Sequence, residues 1–114
     1  MTQKNRKPMN TSTLALVAER FKILGDPLRL QILQFLRENE QSVGQIVDAT
    51  AASQANVSRH LQILLRARVL DRRKEGLNVF YRISDPTVLE LCSVVCDSLA
   101  ERLTRDLSNL GPRD

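Results

Sequence analysis

The chain has 114 residues, of which 42% are hydrophobic, 4% aromatic and 26% charged, and its formal net charge at pH 7 is +4. A chain of this length predicts a single domain, and the few aromatic residues predict a core of aliphatic side chains. The start is polar and basic, no apolar run reaches membrane-spanning length, and two cysteines make no disulfide framework. We therefore expect a cytoplasmic protein without a membrane partner.

The positive charge is concentrated in the middle of the chain. Residues 53–82 contain seven basic and two acidic residues, whereas residues 83–114 contain three basic and six acidic ones. A basic segment beside an acidic one is typical of a protein that offers one face to a polyanion such as nucleic acid. A basic surface that is merely solvated would have the same composition, so charge alone does not decide between the two.

Three helices are predicted before the basic segment. Residues 1–10 lack apolar periodicity and are expected to form a mobile tail, and a first helix over residues 11–24 follows. Asp26 and Pro27 suit the N-cap and first turn of a second helix, and Ser42 suits the N-cap of a short third helix.

The stretch from Ser53 to Arg68 is the candidate functional helix. Its apolar residues Val57, Leu61 and Leu64 fall at the spacing of a helix packed along one side. It holds no acidic residue, and most of its polar positions carry amides, hydroxyls and guanidinium groups, which hydrogen-bond base edges in the major groove. Because the short third helix and a tight turn precede it, this stretch predicts a helix-turn-helix. The residues expected to contact bases are Gln54, Ser58, Arg59 and Gln62, and those expected to contact the DNA backbone are Ser53, Asn56, His60 and Arg66.

A β-hairpin is predicted directly after this helix. Segments 69–74 and 79–83, which contain β-branched and aromatic residues, flank a link with Gly76 and Asn78. A hairpin in this position is the wing of a winged helix, and its cations would lie along phosphates or in the neighbouring minor groove. The alternative is a ribbon that charge merely keeps soluble. The wing residues expected to contact DNA are Arg72, Arg73 and Lys74.

A last long helix is predicted from Asp85-Pro86 to about Leu110, followed by a tail at residues 111–114. Its apolar stripe is longer than a small domain can cover, so we expect it to pack, beside the first helix, against a second chain. The fold expected for residues 11–110 is mainly α with a small β-hairpin, a winged helix-turn-helix that dimerises through its first and last helices. The residues expected at the dimer interface are Leu14, Val17, Phe21, Val88, Leu91, Cys92, Val95, Leu99 and Leu103.

Three segments carry a resemblance to a known family: LGDPLRLQIL at residues 24–33, SVGQIVDATAASQANVSRHLQILLRARVL at residues 42–70, and RRKEGLNVFYRI at residues 72–83. Together they resemble the ArsR/SmtB family of bacterial winged-helix repressors. The resemblance implies four helices, a β-hairpin and a fifth helix, a homodimer, and repression by occupation of a palindromic double-stranded DNA operator. It also implies that an effector relieves the repression.

The effector sites that the resemblance implies are incomplete in this chain. Where it would place two thiols on the third helix, residues 42–46 read Ser-Val-Gly-Gln-Ile, and Gln34 stands where a persulfide-sensing branch has a cysteine. The positions that match zinc ligands on the last helix lack both imidazoles, and two carboxylates do not make a zinc site. These four positions are Asp85, Thr87, Ser98 and Glu101.

Cys92 and Cys96 lie one helical turn apart on the predicted last helix. Thiolates at this spacing could bind a soft ion such as As(III), Cd(II) or Cu(I), with a further ligand from a second chain or from solvent. Cysteine is also among the most frequently buried residues, so the pair could serve only as packing residues. No cofactor is expected to be required.

The predicted function is a dimeric DNA-binding repressor, either released by an effector at the thiols or independent of any effector. The alternative is a winged helix that docks a protein, which would bind DNA weakly and without sequence preference. An enzyme is not expected, because the sequence has one histidine and shows no nucleophile–base pairing, Gly-rich phosphate loop or metal cluster.

Overall fold

The computed structural model describes residues 7–110 of the chain. The elements along these residues are α1 (Thr11–Leu24), α2 (Pro27–Phe35), β1 (Gln41–Ser42), α3 (Val43–Thr50), α4 (Gln54–Arg66), β2 (Leu70–Glu75), β3 (Asn78–Ile83) and α5 (Thr87–Leu110). The predicted order of four helices, a hairpin and a fifth helix is confirmed, and the short strand β1 is an addition to it. The predicted tails fall in part on residues 1–6 and 111–114, which lie outside the described residues.

Side-chain caps set the starts of the first two helices. Asn10, which the sequence placed in the tail, accepts a hydrogen bond from the Thr13 amide at 2.8 Å. Asp26 accepts from the amides of Leu28 and Arg29 at 2.9 and 3.1 Å, and the following proline needs no amide partner. The Asp-Pro pair therefore starts α2 as the sequence predicted.

The two helices of the helix-turn-helix are capped by serine. Ser42 Oγ accepts from the Gln45 amide at 3.2 Å, and Gln45 Oε1 accepts from the Ser42 amide at 2.8 Å, so two free backbone donors are satisfied at the start of α3. Ser53 Oγ accepts from the Asn56 amide at 3.1 Å and starts α4. Between the helices the chain turns at Ala51, whose φ of 57° is left-handed.

The strands form one antiparallel sheet in the order β1-β3-β2. The register of the hairpin runs from Leu70 opposite Ile83 to Glu75 opposite Asn78, and Gly76 takes the left-handed conformation in the turn with φ of 62°. Strand β1 pairs with the edge of β3 that β2 leaves free, at Phe80 and Tyr81, and so joins the segment before α3 to the middle of β3. The wing is therefore anchored on both sides of its central strand.

The core lies where α2, α3, α4 and the base of the hairpin meet. Its side chains are aliphatic apart from one tyrosine, as the composition predicted, and α1 and α5 each add one buried residue. The buried core residues are Leu24, Ile32, Leu33, Leu36, Ile46, Val57, Leu61, Leu64, Val69, Leu70, Tyr81 and Val88.

The first and last helices extend beyond this core. The Cα radius of gyration is 18.0 Å, whereas a compact domain of this length has a radius of roughly 13 Å. From Ser93 to Asn109 every side chain of α5 is exposed, so most of this helix has no packing partner within the protomer. Among the described helices, none has both the length and the apolar composition that a membrane span requires.

Candidate nucleic-acid interface

The outward face of α4 is polar, basic and open to solvent. Val57, Leu61 and Leu64 are buried, as the predicted inward stripe requires. The positions expected to meet DNA are exposed with one exception, His60, and no acidic residue stands among them. The exposed positions are Ser53, Gln54, Asn56, Ser58, Arg59, Gln62 and Arg66.

Arg59 is held along this face by a neighbour on the same helix. Its Nη2 donates to Asn56 Oδ1 at 2.7 Å, and both side chains are exposed. Because the partner is a neutral amide, this contact does not offset the positive charge of the guanidinium. A restrained cation with free donors suits the paired acceptors of guanine or a phosphate oxygen.

His60, expected at the DNA backbone, is instead a buried residue with 5% of its surface exposed. Its Nδ1 accepts a hydrogen bond of 2.9 Å from Arg29 Nε of α2, and Arg29 Nη1 also donates to the Ile23 carbonyl at 2.9 Å. The imidazole therefore faces the junction of α1 and α2 and not the exposed face. The prediction that His60 contacts the DNA backbone is not compatible with this position, because an interior imidazole has no surface to offer to phosphate.

Arg73, which was expected to lie along phosphate, is bound by two carboxylates of the protein. Its Nε donates to both oxygens of Glu40 at 2.9 and 3.0 Å, its Nη2 also donates to Glu40, and its Nη1 donates to Glu75 at 2.6 Å. The guanidinium carbon lies 4.8 Å from the centre of the Phe80 ring. The hydrogen bonds that Arg73 donates hold the pKa of the Glu40 carboxyl below its usual value, and the same bonds, with the one donated to Glu75, raise the pKa of Arg73. The Arg73 side chain therefore ties β2 to the segment before β1 and is not a free cation.

The neighbours of Arg73 on β2 remain available. Arg72 and Lys74 are exposed and have no carboxylate partner within salt-bridge distance among the described residues. Arg82 on β3 lies 3.9 Å from Asp71, a distance at which an exposed pair is weak. The wing can therefore offer Arg72 and Lys74 as cations without a carboxylate partner, and Arg82 as a weakly paired one.

One exposed cation near this face was not among the predicted contacts. Arg68 follows α4 in the left-handed conformation, with φ of 62°, where glycine is the usual residue. Its amide donates to the Leu65 carbonyl at 3.0 Å, so the chain is turned sharply from the helix towards the wing. The charge of this segment was visible in the sequence, but the conformation that places Arg68 between helix and wing was not.

Comparison with known proteins decides the family. The family model described as bacterial regulatory protein, arsR family, matches residues 26–72. A transcriptional regulator of uncharacterised role from Methanocaldococcus jannaschii, MJ1325, is 44% identical over 79 residues, which are 68% of this chain and 89% of the relative. The chain belongs to the ArsR family.

Solved structures of ArsR-type regulators share the fold. The homodimeric winged helix-turn-helix DNA-binding domain Mb0332 from Mycobacterium bovis is 30% identical, with a TM-score of 0.74 over 92% of this chain and 95% of that one. The antimony-specific transcriptional repressor AntR is 29% identical, with a TM-score of 0.78 over 88% of this chain and 91% of that one. The predicted fold class, a winged helix-turn-helix with a small antiparallel hairpin, is confirmed.

The residues expected at an ArsR-type dimer interface fall into three groups in the protomer. Leu14, Phe21, Val95, Leu99 and Leu103 are exposed, and on α5 the last three are 52–63% exposed. Others are half-buried: Val17, Leu91 and Cys92. Val88 is only 1% exposed and belongs to the protomer core, so its predicted place in the interface is wrong. It was misassigned because it continues the same apolar stripe into the first turn of α5, where the helix still packs on its own domain.

The two cysteines differ in environment. Cys92 is half-buried and Cys96 is exposed, and both are free thiols. Burial raises the pKa of the Cys92 thiol, which lowers its thiolate fraction at neutral pH. Among residues 7–110 of a single protomer, no three His, Cys, Asp or Glu side chains are grouped as a metal site would need.

Proposed function

We propose that this ArsR-family chain is a homodimeric, sequence-specific DNA-binding repressor that inserts α4 of each protomer into the major groove of an operator. The observation that carries the proposal is the exposed face of α4, which has amides, hydroxyls and two arginines and lacks any carboxylate. Phosphate repels carboxylates, and an ordinary solvated helix face mixes both signs of charge. A face of this composition is suited to a polyanion.

In this proposal the side chains of α4 divide into two roles. Arg59 would donate two hydrogen bonds to guanine, and Gln54 and Gln62 have the amide geometry that pairs with adenine, while the Ser58 hydroxyl can donate or accept. The backbone of the duplex would be held by residues at the margins of the face and on the wing. These are Ser53, Asn56, Arg66, Arg72 and Lys74.

The proposed two-fold assembly is supported by the uncovered apolar surfaces of α1 and α5. Their exposed leucines and valines form an apolar stripe whose contact with water is unfavourable, and a second copy of the chain would bury it. The homodimeric relative Mb0332 supports this arrangement. Two α4 helices related by a two-fold axis would read half-sites about 34–36 Å apart, one turn of DNA, so the expected operator is an inverted repeat.

Selection of DNA from a random-sequence library tests the proposal. The purified protein is expected to enrich an inverted repeat and to bind it about 10³-fold or more tightly than unrelated duplex at physiological salt. Weak binding that shows no sequence preference after selection would reject the repressor and favour a protein-docking winged helix instead.

The second part of the proposal is release of DNA by a soft metal or metalloid ion at Cys92 and Cys96. It is supported by the exposed Cys96 thiol one turn after Cys92, on the helix assigned to the dimer, and by the similarity to an antimony-specific repressor. Because one protomer lacks a three-ligand group in its described part, the third ligand would come from the other protomer or from solvent. Binding would remodel the contact between the two α5 helices and change the spacing of the two α4 helices.

The release is tested by titrating the reduced protein–DNA complex with arsenite and with cadmium. Wild type is expected to dissociate, and the double variant Cys92→Ser/Cys96→Ser is expected to stay bound. Because the raised pKa of Cys92 means that the ion must displace a proton, release should need less metal as the pH rises. A wild-type complex that no ion dissociates would leave an effector-independent repressor with cysteines that only pack.

A further inference from the structure

One side chain joins three helices behind the DNA-facing surface. Arg29 of α2 donates from Nη1 to the carbonyl of Ile23 near the end of α1, and from Nε to His60 Nδ1 in the middle of α4, each at 2.9 Å. Its own amide is held by the Asp26 cap at 3.1 Å. The guanidinium is therefore anchored at the junction of α1 and α2, and His60 is the point at which α4 is attached to it.

The partner of Arg29 is the sole histidine of the chain, and it is enclosed. His60 is 5% exposed and sits on the inward side of α4, beside Val57, Leu61 and Leu64, which are all buried. It immediately follows Arg59, which lies on the exposed face of the same helix. A rotation or loosening of α4 about His60 would therefore displace Arg59 directly.

The hydrogen bond needs an imidazole without a proton on Nδ1, because that nitrogen is the acceptor. Asp26 Oδ1 lies 3.9 Å from the same nitrogen, and with Arg29 as the donor this contact is not an ion pair. The charged groups that act on His60 are Asp26 and Arg29 from α2 and Arg59 from its own helix, while the end of α1 presents only the Ile23 carbonyl to Arg29. Protonation would place two cationic donors face to face.

We infer that Arg29 and His60 are positioning residues for DNA binding, which hold α4 in its binding orientation only while the His60 imidazole is neutral, so that acidification releases the DNA. The inference rests on the proposed function and adds a pH dependence to it. Because the same guanidinium also holds the end of α1, the contact sets the direction of α4 relative to the helix assigned to the dimer. It thereby contributes to the spacing of the two α4 helices.

The sign of the pH effect follows from the environment of His60. Burial lowers the pKa of His60, and the charges of Arg29 and Arg59 act in the same direction against the opposing effect of Asp26. The stabilisation from the hydrogen bond is complete above the ordinary histidine value of 6.5 and is lost as the pH falls from there through the lowered pKa. A histidine that contacted phosphate would behave oppositely, because its protonation would strengthen DNA binding.

The test compares wild type with His60→Asn, His60→Ala and Arg29→Met on a fluorescent duplex that wild type has selected from a random-sequence library. Affinity is measured from pH 8 to pH 5 at constant ionic strength, and folding is followed by circular dichroism. Asparagine places a carbonyl oxygen near the position of Nδ1 and does not titrate. His60→Asn is therefore expected to bind within about threefold of wild type at pH 8 and to lose less affinity on acidification, while Ala and Met bind about tenfold more weakly, as for one lost hydrogen bond to a charged group.

Each outcome decides the inference. A wild-type affinity that rises on acidification, or a His60→Asn profile with the same fall as wild type, overturns it. Equal binding by wild type, His60→Ala and Arg29→Met at pH 8 also overturns it. If the alanine variant does not fold, the comparison of wild type with His60→Asn still gives the answer. A wild type that selects DNA but binds it with the same affinity at every pH overturns the inference and leaves the proposed function intact. Failure of wild type to select any DNA at pH 8 would instead reject the proposed function itself.

Discussion

Arg59 is the side chain on which the proposed base readout most depends. It is exposed, it has no acidic partner among residues 7–110, and the Asn56 amide holds it along the N-terminal half of α4. Arg59→Ala is expected to weaken binding to the selected operator by about 1–3 kcal/mol and to relax the preference for one base pair, because a bidentate contact would be lost. Fluorescence anisotropy on the operator and on single-base variants measures both effects.

Arg105→Ala is the matched control for that substitution. It also removes one exposed arginine, but from the far part of α5, where Arg105 lies 3.5 Å from Glu101 of the same helix. This variant should keep both the affinity and the base preference of wild type. If Arg59→Ala behaves like the control, the orientation assigned to α4 in the groove is wrong.

The neighbouring pair Arg59 and His60 shows what a sequence can predict about single side chains and what it cannot. The period of Val57, Leu61 and Leu64 defined the buried side of α4, and the exposed face was predicted from it. His60 lies at the edge of that stripe, and its polarity alone suggested the outside. Its burial depends on Arg29, which is 31 residues earlier and supplies the hydrogen bond that an interior imidazole needs. No local pattern reports such a partner.

The wing illustrates how strand register sorts charges that look alike in sequence. Successive residues of β2 point to opposite sides of the sheet, so Arg73 is on one side and Arg72 and Lys74 are on the other. In the register of the hairpin, Arg73 pairs with Phe80, Arg72 with Tyr81 and Lys74 with Val79. Arg73 alone is on the side that meets Glu40, which comes from the segment before β1. Two of the three adjacent cations are thus left for DNA.

Substitution of the two arginines should separate these roles. Arg72→Ala is expected to weaken binding to all DNA and to reduce the slope of log affinity against log salt by about 1, since one phosphate contact is lost. Arg73→Ala should leave that slope unchanged, because its charge is already balanced by carboxylates, and should instead lower the melting temperature. Salt titrations of DNA binding and thermal melts of the free proteins provide the measurement. Equal slopes for Arg72→Ala and wild type would exclude Arg72 as a phosphate contact.

The elements themselves were largely predictable because their ends carry local signals. Asp26 with Pro27, and the serines at 42 and 53, all cap helices as their residue types indicate. Strand β1 was not predictable in this way. It has two residues, and it exists because β3 offers it a free edge, so its cause lies about forty residues further along the chain.

The shape of the assembled protein depends on what covers α1 and α5. A radius of gyration of 18.0 Å, with extents of 62 × 46 × 22 Å, describes a small core from which both helices project. The sequence predicted this excess of apolar surface from the length of the stripe in α5. It could not separate Val88, which packs on its own core, from Leu99 and Leu103, which do not, because all three share one helical period.

Charge placed on the exposed stripe should therefore dissociate the dimer without unfolding the protomer. Leu99→Glu and Leu103→Glu are expected to convert a dimer into a monomer in sedimentation experiments at micromolar concentration, because each carboxylate would be buried between two copies. Both positions are outside the protomer core, so the circular dichroism of a helical protein should persist. Leu77→Glu is the control for oligomeric state, since this residue is 99% exposed in the turn of the wing.

The dissociated variants should also lose operator affinity by about 10²-fold or more, because two linked half-sites bind far more tightly than one. A Leu99→Glu/Leu103→Glu protein that stays dimeric and binds the inverted repeat as wild type does would show that the two copies meet through a different surface.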